Sequence, residues 1–416
     1  MIFKPGKITT VLDGGAGSSA KGLRGAYIWK HMATPEAQFA VNTFMSNAAH
    51  SITHEDGREF VHQTLSSITS IGNYDRQYVS PGCAFSEQEM SQELAKCQVG
   101  PNKVGIHPNA VIVTQKDIDY EKGLVDFEGN TKQNRGSANL NIGSTLHGVG
   151  AARARRVLRR PDVVLARDIP AFADFICNTS TDIMSRLNGG QSGLGEIAQG
   201  FQLSLMSQFF PKTTSRNCSV AAFLDDAMLP PSVLGPVVMN YRTYPIRVNN
   251  NKYLRKTDGK ILTWNEFNTT PEQDREIIRG DSGGCYPDQV EATWDDISKI
   301  AGETIFECTS LTKLPRRVFS FSKINLIESL RFNNTGDDVY ISVNFMNYVD
   351  SAVKGKRTKE EVLTPKVIAW LKENVLDDTV LKACALNSVR LNGLFIGTWK
   401  TIDDSVFLTR SEMLNL

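Results

Sequence analysis

Lys21 closes a run of small residues, Gly17-Ser18-Ser19-Ala20-Lys21-Gly22. Small side chains let backbone N–H groups approach phosphate oxygens. The lysine adds a mobile positive charge, and a helix N-terminus behind the loop favours anions. Gly22 stands where a G-x-x-x-x-G-K-[ST] loop needs Ser or Thr, so the run is not that motif. The same string also suits a tight strand-to-helix turn that needs glycine for its backbone alone. His50 ends Ser46-Asn47-Ala48-Ala49-His50. A ring among such small residues can act as an acid toward a developing oxyanion, although a lone histidine is more often packed. Gly143-Ser144-Thr145-Leu146-His147-Gly148 offers hydroxyls to a phosphate monoester and precedes Arg153, Arg155, Arg156, Arg159 and Arg160. Arginines suit bidentate phosphate recognition, and such runs also form solvated basic helix faces. In Glu196-Ile197-Ala198-Gln199-Gly200, Gln199 can present a donor and an acceptor to a purine edge. Thr213-Thr214-Ser215-Arg216 suits phosphate, or a loop with capping hydroxyls.

These residues need a scaffold, and the pattern predicts one. Lys7–Leu12 is β-rich, the glycine loop follows it, and Leu23–Met32 reads as helix. Short buried strands are predicted at 161–166, 234–241 and 339–343. Amphipathic helices are predicted at Glu87–Cys97, Asp168–Leu187 and Pro365–Leu376. Strands alternating with helices imply an α/β fold with a large, mainly parallel central sheet flanked by helices. The polar stretch 249–279 reads as an inserted surface loop or hairpin within one domain spanning 1–416.

With 41% hydrophobic and 22% charged residues and a net charge of +1, the composition is that of an ordinary globular protein. No charge excess calls for nucleic acid or a membrane as partner. No signal-peptide block and no apolar span of membrane length occur, which predicts a cytoplasmic protein. The seven cysteines are odd in number and form no CxxC pair, which argues against a disulfide framework or a zinc site.

In this order and spacing the segments resemble adenylosuccinate synthetase. That family's W-G-D-E-G-K-G is similar to Ala16–Gly22, its N-A-G-H to Asn47–His50, and its G-[ST]-T-x-x-G to Gly143–Gly148. Its E-G-A-Q-G resembles Glu196–Gly200, its V-T-S-S-N resembles Thr213–Asn217, and its [ST]-T-R-V resembles Pro245–Val248. The phage branch, the aminodeoxyadenylosuccinate synthases, is more similar still. It resembles the chain also at Ser282–Gln289, Arg316–Ser322 and Asn344–Tyr348.

The resemblance implies a ligase that places a phosphate on the purine O6 and then displaces it with the amine of L-aspartate. It implies Mg2+ as cofactor, touching the Ala49 backbone carbonyl, and a homodimer. His50 would stabilise O6, and Lys21 would neutralise the transferring phosphate. Gly17, Ser19, Ala20 and Gly22 would cradle the donor. Asn47, Thr145, Gln199, Thr214 and Val248 would hold the acceptor nucleotide, with Arg159 lent across the dimer. Thr312 and Arg316 would take aspartate.

Two departures select the substrates. Ser18 stands where the housekeeping enzyme has a catalytic, metal-binding aspartate. The shorter, neutral side chain leaves room for the 2-amino group of guanine, which points to dGMP and weakens residue 18 as a metal ligand. Asp13 is then the candidate to take the N1 proton. The family's T-K-x-D, which reads the guanine of GTP, aligns with Asn344-Phe345-Met346-Asn347. Without the aspartate, ATP or dATP is favoured as donor. The competing expectations are an ordinary adenylosuccinate synthetase using IMP and GTP, and an inactive nucleotide-binding homologue.

Overall fold

The computed structural model describes residues 1–132, 142–248, 251–262, 264–278, 282–308 and 315–416. β1 (Ile8–Asp13) is buried along its whole length, with Ile8, Val11, Leu12 and both threonines shielded from solvent, as in a strand covered on both faces. It lies inside a nine-stranded sheet. On one side of β1 come Leu234–Arg242, Asp338–Asn344, Arg390–Gly397 and Ser405–Thr409. On the other come Ser192–Glu196, Ala37–Asn42, Arg76–Val79 and Val104–Ile106. Every pairing is parallel except the edge strand Ser405–Thr409. In parallel sheets the crevice at the carboxyl ends of the strands is where ligands bind. Asp13, Asn42, Glu196, Arg242 and Asn344 are the last residues of their strands, so the glycine loop, His50, Gln199 and the 344–347 segment all open on this one crevice.

Helix α1 (Lys21–Met32) follows the loop and covers one face through Ile28 and Trp29, with the Trp29 ring edge-on to Phe3 at 5.7 Å. The helix Glu87–Cys97 is closed by a capping box of Ser86 and Glu89, and Pro365–Asn374 begins with proline in its first turn.

Two expected elements differ. Residues 161–166 make no strand. They form a turn in which Asp162 is bound by Lys116, Arg155 and Arg160, and only Leu165 bridges to Val111. The run is half exposed, so its short apolar stretch lacks the burial a central strand needs. Asp168–Leu187 is not one helix. A 3-10 segment, Pro170–Phe175, is followed by a helix over Thr179–Asn188, because Asn178 caps the latter by accepting from Thr181 N at 3.2 Å. Within 249–279, Lys252–Arg255 pairs antiparallel with Arg275–Ile278, around a small core of Tyr253, Leu262 and Phe267.

Candidate active site

The glycine loop is held in an unusual shape. Gly17, Ser18 and Ala20 have φ of 92°, 53° and 63°. Left-handed backbone at Ser18 and Ala20 costs about 1–3 kcal/mol each and persists only where surroundings fix it. Those surroundings are identifiable. Asp13 Oδ1 accepts from Gly15 N at 2.6 Å, Arg242 Nη1 donates to the Ser18 carbonyl at 2.8 Å, and Asn344 Nδ2 donates to the Ser19 carbonyl at 2.7 Å. Gly200 presses on the loop so closely that a Cβ there would lie 2.3 Å from the Gly15 carbonyl oxygen. Ala20 caps α1 without a side-chain bond, and no acidic residue occupies the first turn. The first N–H groups of α1 therefore remain available to an anion. Lys21 is buried, its Nζ 3.7 Å from Asp13 Oδ2. That Asp13 oxygen has no hydrogen-bond partner.

His50 opens a hairpin and packs directly on α1, where a Cβ at Gly22 would come within 2.7 Å of the His50 Cβ. Its Nδ1 is 3.2 Å from Glu196 Oε2, and Phe44 meets the ring edge-on at 4.4 Å. Glu196 also accepts from Ser66 Oγ at 2.8 Å, from Ser67 N at 3.1 Å and from Ser67 Oγ. Burial pushes Glu196 up, but the bonds from His50, Ser67 and Ser66 outweigh it and hold the carboxyl below its ordinary value. Burial pushes His50 down, against the pull of Glu196. Nδ1–H is therefore assigned as donor to the ionised Glu196, which leaves Nε2 as the ring nitrogen that is buried without a partner.

Both shifts act on stability in one direction. Below the ordinary imidazole value of 6.5 the unfolded chain binds a proton that folded His50 resists. Glu196 contributes stability above the ordinary carboxyl value of 4.5 and loses it as pH falls through its lower folded value. The melting temperature is expected to be steady near neutrality and to fall as pH drops below about 6.5. His50→Gln should flatten the upper part of that fall in a thermal melt series; an unchanged profile would remove His50 from the account.

Three segments far apart in sequence meet around Asn47. Gln199 Nε2 donates to Asn47 Oδ1 at 2.5 Å, and Asn47 Nδ2 lies 3.5 Å from Thr214 Oγ1. Gln199 is left-handed with φ 58°, and its Oε1 is buried without a partner. Arg216, which sequence gives no reason to separate from a phosphate ligand, is instead internal: it bonds the Thr43 carbonyl and hydroxyl and pairs with Asp226 at 3.3 Å. A Cβ at Gly143 would stand 3.2 Å from Val248 Cγ2, and one at Gly150, in the helix that follows the 143–148 loop, would stand 3.8 Å from Ser215 Cβ. Thr145, Val248 and Ala49 are exposed.

Arg159 is not brought into this cluster. It lies beyond the helix Val149–Val157, exposed and left-handed, beside exposed Val157 and Leu158. Arg153, Arg155 and Arg160 have acidic partners, and Arg156 donates to the Pro81 carbonyl. Asn344 is buried and spends its amide on Ser19 and on Arg24 Nη2, which donates to Oδ1 at 3.1 Å. Asn347 is fully buried, and neither of its amide atoms has a partner. Arg316 Nε donates to the Cys308 carbonyl at 3.2 Å. Thr312 lies outside the described residues.

Sequence reasoning did not single out Arg242, Glu307, Ser66 or Ser67. No local motif marks them; the signal for Glu196 was its place in the Gln199 string, which that reading used only for glutamine.

No protein-family model matches the chain. It is 31% identical over 354 residues to the N6-succino-2-amino-2'-deoxyadenylate synthase of Vibrio phage phiVC8, spanning 82% of this chain and 86% of that protein. It is 30% identical over 352 residues to the enzyme of the same name from cyanophage S-2L, spanning 82% and 83%. The solved structure of the cyanophage S-2L succinoaminodeoxyadenylate synthetase, bound to dGMP and to dATP as an energy donor, is similar with a TM-score of 0.71 at 26% identity over 98% of each chain. Adenylosuccinate synthetase from Plasmodium falciparum shares the fold alone, with a TM-score of 0.67 at 12% identity over 97% of this chain and 100% of that one. The expected adenylosuccinate-synthetase-like fold is thus the observed one, and the chain belongs to the N6-succino-2-amino-2'-deoxyadenylate synthase family of C–N bond-forming ligases.

Proposed function

We propose that this protein condenses L-aspartate with dGMP at the expense of ATP or dATP, giving N6-succino-2-amino-2'-deoxyadenylate. The observation that carries the reading is Ser18, exposed in a strained loop whose other parts, Lys21 and the His50–Glu196 pair, are intact. A degraded site would have no reason to keep that strain fixed by Arg242 and Asn344.

The donor triphosphate lies along Gly17, Ser19, Ala20 and Gly22 at the amino end of α1, with Lys21 on the transferring phosphate. His50 Nε2 faces the phosphate and O6. Because Glu196 already compensates the ring, phosphate oxygens draw a proton onto Nε2, which then donates to the developing charge. Asp13 takes the N1 proton through Oδ2, which accepts no hydrogen bond and lies beside the Lys21 ammonium. Gln199 and Asn47 read the purine, Thr145 and Thr214 hold the monophosphate, and the Val248 backbone meets the sugar. Arg316, with Thr312, receives a carboxylate of aspartate. Asn344 shapes the donor loop from below, and Asn347 lies buried in the segment that would meet the donor base, with an amide in place of a carboxylate.

The site fits Mg2+ held chiefly by donor phosphates. Among the described residues no group of three His, Cys, Asp or Glu side chains converges, which leaves the donor phosphates as the main ligands, and Ala49 is exposed beside His50. Ala49 would touch it through its carbonyl, Ser18 only weakly through its hydroxyl, and the ion would supply charge neutralisation on the triphosphate. A second copy of the chain would bring Arg159 to the acceptor phosphate, and exposed Val157 and Leu158 beside it offer apolar surface for that contact. No helix among the described residues is long and apolar enough to cross a membrane.

Product mass tests the reading. Protein with L-aspartate, Mg2+ and ATP or dATP is expected to form a succinyl adduct on dGMP and none on IMP. An adduct on IMP instead would return the protein to adenylosuccinate synthesis.

A further inference from the structure

Arg242 ends the central strand Leu234–Arg242 and is almost fully buried. Each part of its guanidinium is engaged. Nη1 donates to the Ser18 carbonyl at 2.8 Å, Nε to the Tyr244 carbonyl at 3.2 Å, and Nη2 to Glu307. Its central carbon sits 3.8 Å from the centre of the Phe345 ring. Glu307 also accepts from Tyr348 Oη at 2.7 Å and pairs with Arg316 Nη1 at 3.8 Å. Burial pushes Glu307 up, but Arg242 and Arg316 outweigh it and keep the carboxyl below its ordinary value. One ionised carboxylate therefore separates two guanidiniums. Arg316 also donates to the Cys308 carbonyl, whereas Arg242 holds the Ser18 carbonyl and the Phe345 ring.

We propose that Glu307 and Arg242 are a positioning pair that couples amino-acid binding to the phosphate-donor loop; this rests on the assignment of Arg316 to a carboxylate of aspartate. A ligand carboxylate arriving at Arg316 competes with Glu307 for the same cation. Glu307 is then released toward Arg242, its other cationic partner, and tightens the Arg242 bond to the Ser18 carbonyl. Donor binding, which uses that loop, gains in turn, and the coupling is reciprocal by linkage. Arg242 and Glu307 touch no reacting atom in this scheme.

The test is the affinity of a non-hydrolysable ATP analogue, by calorimetry with dGMP and Mg2+ present, measured with and without L-aspartate. Aspartate is expected to tighten the analogue about fivefold or more in the wild type. Glu307→Gln is expected to abolish this gain while dGMP affinity stays within about twofold, and Arg242→Lys is expected to abolish the gain as well. A merely structural role would weaken every ligand alike. Tyr348→Phe, which removes one bond to Glu307 and keeps the packing, should reduce the gain and decides the matter if the other variants do not fold. A gain of wild-type size in a folded variant, or no gain in the wild type, overturns the proposal. Product mass separates this from its premise: a wild type that makes no succinyl product from aspartate fails the Arg316 assignment, whereas turnover without coupling fails the positioning pair alone.

Discussion

His50→Ala is expected to lower kcat about a thousandfold, the scale of losing one preorganised donor to a developing oxyanion. The structure says why the loss should fall on kcat. His50 Nε2 is buried without a protein partner, so its free bonding capacity is directed to a ligand. Its other nitrogen is fixed by Glu196, which Ser66 and Ser67 hold in place. The ring is therefore set before substrate arrives and costs no reorganisation during the reaction. Removing it leaves Glu196 buried with its serine donors still present, so the stability cost is about 1–3 kcal/mol and the fold survives. Steady-state phosphate release, read beside a thermal melt, checks the prediction. A folded variant with kcat within about tenfold of wild type would remove His50 from the chemistry.

Ser18→Asp is the second large effect. The position has φ 53°, a conformation that aspartate tolerates better than most residues, and its backbone carbonyl is held by Arg242 whatever the side chain. The loop should therefore keep its shape, and the change is confined to one side chain facing the crevice. A carboxylate there is longer and charged, and it takes the space proposed for the 2-amino group of guanine. Turnover of dGMP, as kcat/KM, is expected to fall about a hundredfold, about 2.7 kcal/mol of transition-state binding. IMP, which lacks that amino group, should gain relative to dGMP. Parallel kcat/KM measurements on both nucleotides decide it, and a variant as active on dGMP as the wild type would refute the steric account of substrate choice.

Local sequence carried part of the site because some chemistry is local. The run from Gly17 to Gly22 is short, and its small residues and lysine imply an anion-binding turn wherever it is placed. The same holds for Gln199 within its string. Secondary structure was legible where signals agreed, as at Glu87–Cys97, a helix that Ser86 caps. It was misread where apolar residues were only half buried, at 161–166, and where Pro170 and Asn178 interrupt an otherwise helical pattern. Arginines were the least legible. Arg153, Arg155, Arg156 and Arg216 look like phosphate ligands in one dimension and are internal struts in three.

What the sequence by itself determined is the set of reactive groups, their order along an α/β chain, and the absence of a carboxylate at residue 18. Those are properties of side chains and of short-range backbone preference. Which groups act together was decided only by the tertiary structure. Glu196 reaches His50 across 146 residues, Gln199 reaches Asn47 across 152, and Arg242 reaches Ser18 across 224. Such pairings depend on strand order in the sheet, which brings the carboxyl ends of β1 and its neighbours to one crevice. The protonation of His50 depends on burial and on the partners of Glu196, and neither exists until the sheet has formed.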